Sequence, residues 1–185
     1  MLYRVARKVG LAGPSKTADY FSDLVETIIC QQLSDKAGAT IFERFVNLFP
    51  QQKVTPGGVL ALTNEKIRSV GPSWSKVNYI KNLAAQVTKS SLKLNTLHKL
   101  NDEEVISQLT KVKGIGRWTA EMFLMFSLGR KDVFSHGDLG LRRAIQRLYK
   151  FKHPPSQKKI EKIVAKWSPY RTYACRVLWR SLGES

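Results

Sequence analysis

An all-α fold is what this sequence predicts, and three observations predict it. Apolar residues recur at intervals of three and four along most of the chain, strand-type alternation is nowhere sustained, and helix-starting residues punctuate the pattern. With 185 residues and 43% apolar content, the chain can bury a core without disulfide or metal staples, as one compact domain or two small lobes.

The elements follow in order. Phe21, Leu24, Val25, Ile28 and Ile29 form the stripe of one helix, and Ile41, Phe42, Phe45, Val46 and Phe49 that of the next. Thr55 before Pro56 reads as an N-cap with proline at the first helical position. The Gly71-Pro72-Ser73 turn, together with His153-Pro154-Pro155, is where two lobes would meet best. Asn101 with Glu104 three residues on has the form of a capping box, and the helix it opens is expected to end near Lys111. Ser156 precedes the stripe Ile160, Ile163, Val164 and Trp167 as an N-cap. Ser168 before Pro169 gives a third such start. The sum is about nine or ten short helices joined by short turns, with no internal repeat and no low-complexity segment.

Charge narrows the partner. There are 31 Lys and Arg against 14 Asp and Glu, a net +17, and a field of that sign favours a polyanion, most simply nucleic acid. From Arg142 to Arg180 there are twelve basic residues and one acid, Glu161. That concentration suggests a phosphate-facing surface rather than an even coating.

Cys30 and Cys175 lie far apart within apolar-periodic runs, as buried structural thiols do, and two cysteines cannot hold a four-cysteine iron–sulfur cluster. His98, His136 and His153 share no metal-ligand spacing, so no transition-metal cofactor is expected. No apolar run approaches the roughly 18 residues a membrane span needs. The first residues, MLYRVARKVG, lack the apolar core of a signal peptide. An intracellular location is expected, in cytoplasm and nucleoid or in a nucleus.

The stretch KVKGIGRWTAEMF, Lys111 to Phe123, carries the first site. Gly114 and Gly116 are expected to supply positive backbone angles and bare amides for a tight turn before a helix containing Trp118. Amides at a helix N-terminus favour an anion, and Lys111, Lys113 and Arg117 surround them with positive charge. These residues alone leave two readings open, a grip on backbone phosphate or a helix corner with no ligand. Asp138 likewise reads locally as the cap of a helix starting at Leu139.

The longer run LTKVKGIGRWTAEMFLMFSLGRKDVFSHGDLGLRRAI, Leu109 to Ile145, resembles the hairpin and catalytic-aspartate region of the helix-hairpin-helix DNA glycosylase superfamily, nearest its alkylpurine branch. ETIICQQLSDKAGATIFERF and KWSPYRTYACRVLWRSLG fit the same family, so the resemblance covers roughly Tyr20 to Leu182. It implies one domain over residues 1–185, built as two intertwined helical lobes around a cleft. The helix-hairpin-helix motif would span about 101–128 and the catalytic loop 132–140. The N-terminal β domain of larger bacterial members has no room here.

The resemblance also implies roles. Gly114 and Gly116, with Lys113, Arg117 and Thr119, would bind DNA backbone. Asp138 would be the catalytic carboxylate, placed to stabilise oxocarbenium character at C1′ and to orient or deprotonate a water. Trp118, Met122 and Trp179 would line the base pocket. The turn Gln31-Gln32-Leu33-Ser34 matches the family's wedge loop, with Gln32 or Leu33 filling the gap left by a flipped nucleotide. Bifunctional members carry lysine where Trp118 stands, so a monofunctional hydrolase is expected. Family hairpins often hold a monovalent cation, here Na⁺ or K⁺ on the carbonyls of Thr110, Val112 and Ile115.

The expected partner is double-stranded DNA containing alkylated purines, bound by a monomer. Three departures stand out: Val112-Lys113 replaces an apolar residue and proline before the first glycine, Ser135-His136-Gly137 lacks a common proline, and Met122 replaces a pocket tyrosine. A non-catalytic protein that binds damaged or bent DNA through the same hairpin is the alternative. It leaves Asp138 unexplained. A glycosylase for oxidised or mismatched bases is disfavoured by the absent lysine and cysteine cluster, and a generic basic RNA-binding protein remains.

Overall fold

The computed structural model describes residues 2–10 and 19–183, and every regular element among them is helical. The chain divides into two compact units, Thr17–Phe123 and the two ends together, Met1–Lys16 with Leu124–Ser185.

The first unit is built around α2 (Tyr20–Cys30), which buries the predicted stripe Phe21, Leu24, Val25, Ile28 and Ile29. Asp19 caps it, accepting from the Ser22 amide at 3.0 Å. Of the next stripe, Phe45 on α3 (Asp35–Val46) and Phe49 just beyond it are buried. Between Pro56 and Thr88 the chain breaks into α4 (Pro56–Ala61), α5 (Asn64–Arg68) and α6 (Trp74–Thr88), because Thr55, Thr63 and Ser73 each cap a new start. These breaks help bring the α-helices to eleven among the described residues, above the nine or ten expected. The capping box is present on α7 (Asp102–Leu109): Asn101 Oδ1 accepts from Glu104 N at 3.0 Å and Glu104 Oε2 from Asn101 N at 2.8 Å. After the hairpin, α8 (Arg117–Met122) runs into a π-helical turn, Phe123–Ser127.

In the second unit, α1 (Leu2–Val9) and α9 (Leu139–Leu148) both pack on α11 (Arg171–Gly183), and α10 (Gln157–Val164) lies between α9 and α11 in sequence. The Pro-rich turns expected to separate lobes do not. Residues 71–73 and 153–155 each lie inside one unit, and the chain changes unit at Phe123, where local helical bonding continues unbroken.

Ser168 is also corrected. It is not an N-cap: α11 begins at Arg171, and Ser168 Oγ donates instead to Asp132 Oδ2 at 2.8 Å. Asp132 accepts as well from the Arg171 amide, Nε and Nη2, at 3.2, 2.7 and 2.8 Å. The neighbouring Thr172 hydroxyl donates to Arg130 O at 2.6 Å and accepts from Val133 N at 3.1 Å. The start of α11 thereby holds residues 130–133, the root of the loop that ends at Asp138.

Candidate active site

The hairpin between α7 and α8 is tight because Gly114 has φ +97, and a Cβ there would lie 2.1 Å from Tyr79 Cγ on α6. Both facts require glycine. Gly116 differs from expectation. Its φ is −91, so it supplies no positive angle, and nothing lies within 4 Å of where a Cβ would stand. What it offers is an open approach to the backbone at the start of α8. Among the described residues neither the Gly114 nor the Gly116 amide donates to another group, which leaves two donors at the start of α8 where an anion is favoured. Lys111 and Lys113 are exposed beside them.

Two of the predicted backbone-binding side chains are placed otherwise. Thr119 is 2% exposed, and its hydroxyl accepts from Gln31 Nε2 at 3.0 Å; it belongs to the support of the hairpin, not to its surface. Arg117 is held by carboxylates, Nη2 on Glu103 Oε1 at 2.6 Å and Nε on the buried Glu121 Oε1 at 3.1 Å. Its hydrogen bond holds the Glu103 carboxyl below the usual carboxylate range. Its charge is therefore partly compensated within the protein.

The wedge turn follows α2. Gln32 has φ +58, a left-handed conformation that costs a non-glycine residue about 1–2 kcal/mol. It presents Gln32 and Leu33 outward, Leu33 being 40% exposed. The strained turn at Gln32 thus leaves the apolar Leu33 side chain partly in solvent. Gln31 points the other way, donating from Nε2 to Gly114 O at 3.0 Å as well as to Thr119. Lys76 on α6 closes the end of α2, its Nζ donating to Ile29 O and Gln31 O at 2.7 Å each. Burial pushes the Lys76 ammonium pKa down, and the two carbonyls supply the compensation that a partly buried cation requires.

Trp118 projects from the first turn of α8 and is 37% exposed, whereas Met122, one turn on, is 6% exposed. Trp118 therefore has a face available to a partner. Met122 is packed as core.

In the second unit Asp138 is both a cap and a candidate catalyst. It is 9% exposed, and its Oδ1 accepts from Leu141 N at 2.7 Å and from Trp179 Nε1 at 3.1 Å. The local and the functional readings of Asp138 thus describe one geometry: the cap fixes the carboxylate. Trp179 has a role beyond the pocket lining expected of it. Its indole N–H donates to Asp138 and its ring lies 5.9 Å from Phe126, so it orients the carboxylate. Gly140 completes the cradle, since a Cβ there would sit 3.1 Å from Asp138 Oδ1 and 3.4 Å from Trp179 Cδ1.

Residues 25–169 match the sequence profile of the HhH-GPD superfamily of base excision DNA repair proteins. This chain belongs to the HhH-GPD superfamily. Among curated relatives, DNA-3-methyladenine glycosylase 1 of Schizosaccharomyces pombe is 33% identical over 184 residues, 96% of this chain and 80% of its own length. The DNA-3-methyladenine glycosylase of Saccharomyces cerevisiae is 34% identical over 201 residues, 90% of this chain and 68% of that protein. A solved Schizosaccharomyces pombe 3-methyladenine DNA glycosylase in complex with abasic DNA matches with TM-score 0.90 at 31% identity, over 98% of this chain and 90% of that one. Against a further curated relative, from Bacillus subtilis, the chain spans 62% of the relative's length.

As an HhH-GPD protein the chain has residues the sequence did not single out. Lys76, Tyr79, Gly140 and the Asp132–Arg171 pair all support the two sites. Gly140, two residues after Asp138, was the one with a legible signal. The others act across long sequence separations. The carbonyls of Thr110 and Ile115 accept no hydrogen bond from another described residue, while Val112 O accepts from Ile115 N at 3.0 Å. Among the described residues no group of three His, Cys, Asp or Glu side chains could hold a metal, and no helix is long and apolar enough to cross a membrane.

Proposed function

We propose that the protein is a monofunctional DNA glycosylase that flips N3- and N7-alkylated purines out of duplex DNA, hydrolyses the glycosidic bond and leaves an abasic site. The observation that carries this reading is the Asp138 carboxylate, buried and fixed by two N–H donors, at the residue that the family resemblance implies is catalytic. The names of the relatives supply the substrate class.

An alkylated purine bears a positive charge, so the C1′–N bond breaks with its electron pair moving onto the base and neutralising it. The deficit left on the sugar is stabilised by the Asp138 carboxylate. A water oxygen then bonds to C1′ and gives up a proton to that carboxylate or to solvent. The departing base needs little further activation. An exposed indole at Trp118 can stack on the cationic base, a cation–π contribution of about 1–2 kcal/mol once water is excluded. Because Trp118 stands where a Schiff-base lysine would have to be, no strand cleavage is expected. The hairpin amides of Gly114 and Gly116 hold phosphate, and the carbonyls of Thr110, Val112 and Ile115 would hold Na⁺ or K⁺, which would add positive charge to the hairpin. Gln32 or Leu33 fills the space of the flipped nucleotide. A chromosomal substrate places the protein with the DNA, in nucleoid or nucleus.

The test is release of 3-methyladenine and 7-methylguanine from methylated duplex by the purified protein and by Asp138→Asn, with borohydride present. Free base, a loss of at least about a hundredfold in the variant, and no trapped adduct support the reading. Binding without release from any alkylated, deaminated or oxidised duplex would sink it in favour of a non-catalytic damage-binding protein. A borohydride-trapped adduct would overturn the monofunctional assignment alone.

A further inference from the structure

An aromatic groove in the second unit is unused by the site described above. Leu2 and Ala6, one turn apart on α1, line it with Ala174 and Val177 of α11, and four aromatic side chains complete it: Tyr3, Trp167, Tyr170 and Tyr173. Arg180 fixes α1 against α11 one turn beyond Val177, its Nη1 donating to Val9 O at 3.3 Å and to Gly10 O at 3.2 Å. Trp179, the donor to Asp138, leaves α11 about 200° round from Val177. The groove and the carboxylate therefore lie on different sides of that helix.

The aromatic side chains divide into anchored and open ones. The Trp167 ring lies 6.1 Å from Phe134, and its indole N–H is hydrogen-bonded to Tyr149. Tyr3 and Tyr170, in contrast, are 73% and 58% exposed. Tyr170 meets Tyr173 edge to face, with centroids 5.9 Å apart and planes at 76°, an arrangement in which the ring that supplies the edge keeps both faces clear of the other. Two large rings left in water on one groove form a patch, which scattered single exposures do not.

Size and charge select what covers the patch. The groove holds about 230 Å³, below the roughly 300 Å³ at which pockets for drug-sized ligands begin, so it has room for single flat rings and not for the face of a helix. No charged residue lines it. Beside it Arg4 adjoins Tyr3, Arg7 stands one turn further along α1, and Lys166 adjoins Trp167, all three exposed. Asp132, the carboxylate beside the start of α11, is paired with Arg171. Open aromatic faces next to cations, in a chain of net charge +17, complement bases joined by phosphates.

We infer that this groove binds unpaired bases of single-stranded nucleic acid, which stack on Tyr3 and Tyr170 while Arg4, Arg7 and Lys166 take the backbone. Bases within a duplex are covered on both faces by their neighbours, so only an unpaired segment can occupy it. The site goes beyond base release, and its test reads binding alone.

The experiment is binding of labelled oligothymidylate, and of an abasic oligomer of equal length, to the full chain at fixed KCl, followed by anisotropy. The ratio of the two affinities separates the bases from the phosphates. In Tyr3→Ala/Tyr170→Ala the ratio should fall at least about fivefold, the lower end of what one stacked base is worth, with affinity for the abasic oligomer retained. Oligouridylate is run in parallel: a fall with either oligomer supports the groove, and the one that shows it names the strand as DNA or RNA. A ratio unchanged with both, or lost in Trp118→Ala instead, overturns it. If the alanine variant melts early, Tyr3→Leu/Tyr170→Leu keeps apolar bulk, removes the rings and decides by the same ratio. Sedimentation showing that the two tyrosines join copies of the chain, with the ratio unmoved, overturns the groove in favour of a dimer contact.

Discussion

The Gln31 side chain donates to Gly114 O from the far end of the wedge turn, at 3.0 Å, and the same nitrogen donates to Thr119 Oγ1. The segment that would enter the duplex and the hairpin that would hold its backbone are therefore parts of one hydrogen-bonded piece, with Lys76 fastening the end of α2 behind them. Gln31→Leu keeps the bulk and removes both bonds. It is expected to cost about 1–3 kcal/mol of stability, because the carbonyl and hydroxyl lose their donor. Substrate affinity should fall while the single-turnover rate at saturating protein moves little. An affinity equal to the parent's, with stability lost, would show that the bond serves folding alone.

The contact between Trp179 Nε1 and Asp138 Oδ1 gives a test of orientation. Trp179→Phe retains an aromatic ring against Phe126 and removes only the donor. Hydrogen bonds to charged groups are worth about 1.5–3 kcal/mol, so base release should slow by roughly ten- to a hundredfold, with duplex binding retained. Gly140→Ala probes the same cradle from the opposite side. A methyl there meets Asp138 Oδ1 at 3.1 Å, yet alanine in a helix is favoured over glycine by about 1 kcal/mol. Release should therefore fall without loss of melting temperature. A variant that is faster, or less stable and equally fast, contradicts the cradle.

The Asp132–Arg171 pair sets an acid limit. Hydrogen bonds from the Arg171 side chain, then from Ser168 and the Arg171 amide, hold the Asp132 carboxyl down from 3.8 to about 2. A carboxyl depressed in the folded state stabilises the fold above its unfolded pKa and loses that contribution as pH falls through the folded value. The window is thus about pH 4 down to 2. Both side chains are about a third exposed, and with solvent screening the contribution is about 1 kcal/mol. In acid titrations of unfolding, Asp132→Asn should flatten the parent's loss of stability between pH 4 and 2. Parallel curves would remove the pair from the account of acid sensitivity.

How much of this was legible in the sequence follows from the range of each interaction. The capping box at Asn101, the Thr55 cap and the α2 stripe depend on residues at most four apart or on one helical period, so local patterning reveals them. The hairpin glycines and Asp138 could be placed through the family resemblance, although that resemblance misassigned Thr119, whose hydroxyl is claimed by a glutamine 88 positions earlier. Ser168 shows the limit of local rules. A serine before a proline satisfies every cap criterion, yet an aspartate 36 residues away takes its hydroxyl. Lys76 carried no signal, because its two acceptors are backbone carbonyls that any sequence would provide.

Gly114 and Gly116 differ in a way that separates folding from binding. At Gly114 an added Cβ would overlap the Tyr79 ring at 2.1 Å, and φ +97 is disfavoured for any side chain. Gly114→Ala must therefore displace α6 or open the turn. A loss above about 3 kcal/mol is expected, larger than the 1–3 kcal/mol that overpacking usually costs, because strain and clash add. Removing the ring with Tyr79→Ala should restore only part of it, since the backbone angle remains. Gly116 has an ordinary angle, φ −91, and open space around it, so Gly116→Ala should leave melting unchanged. A methyl at that point would nonetheless stand in the approach to the hairpin amides, and duplex affinity should fall by several-fold even though the protein is as stable as its parent. If affinity is untouched by Gly116→Val as well, the phosphate does not reach this amide and the backbone grip has to be sought at the lysines alone.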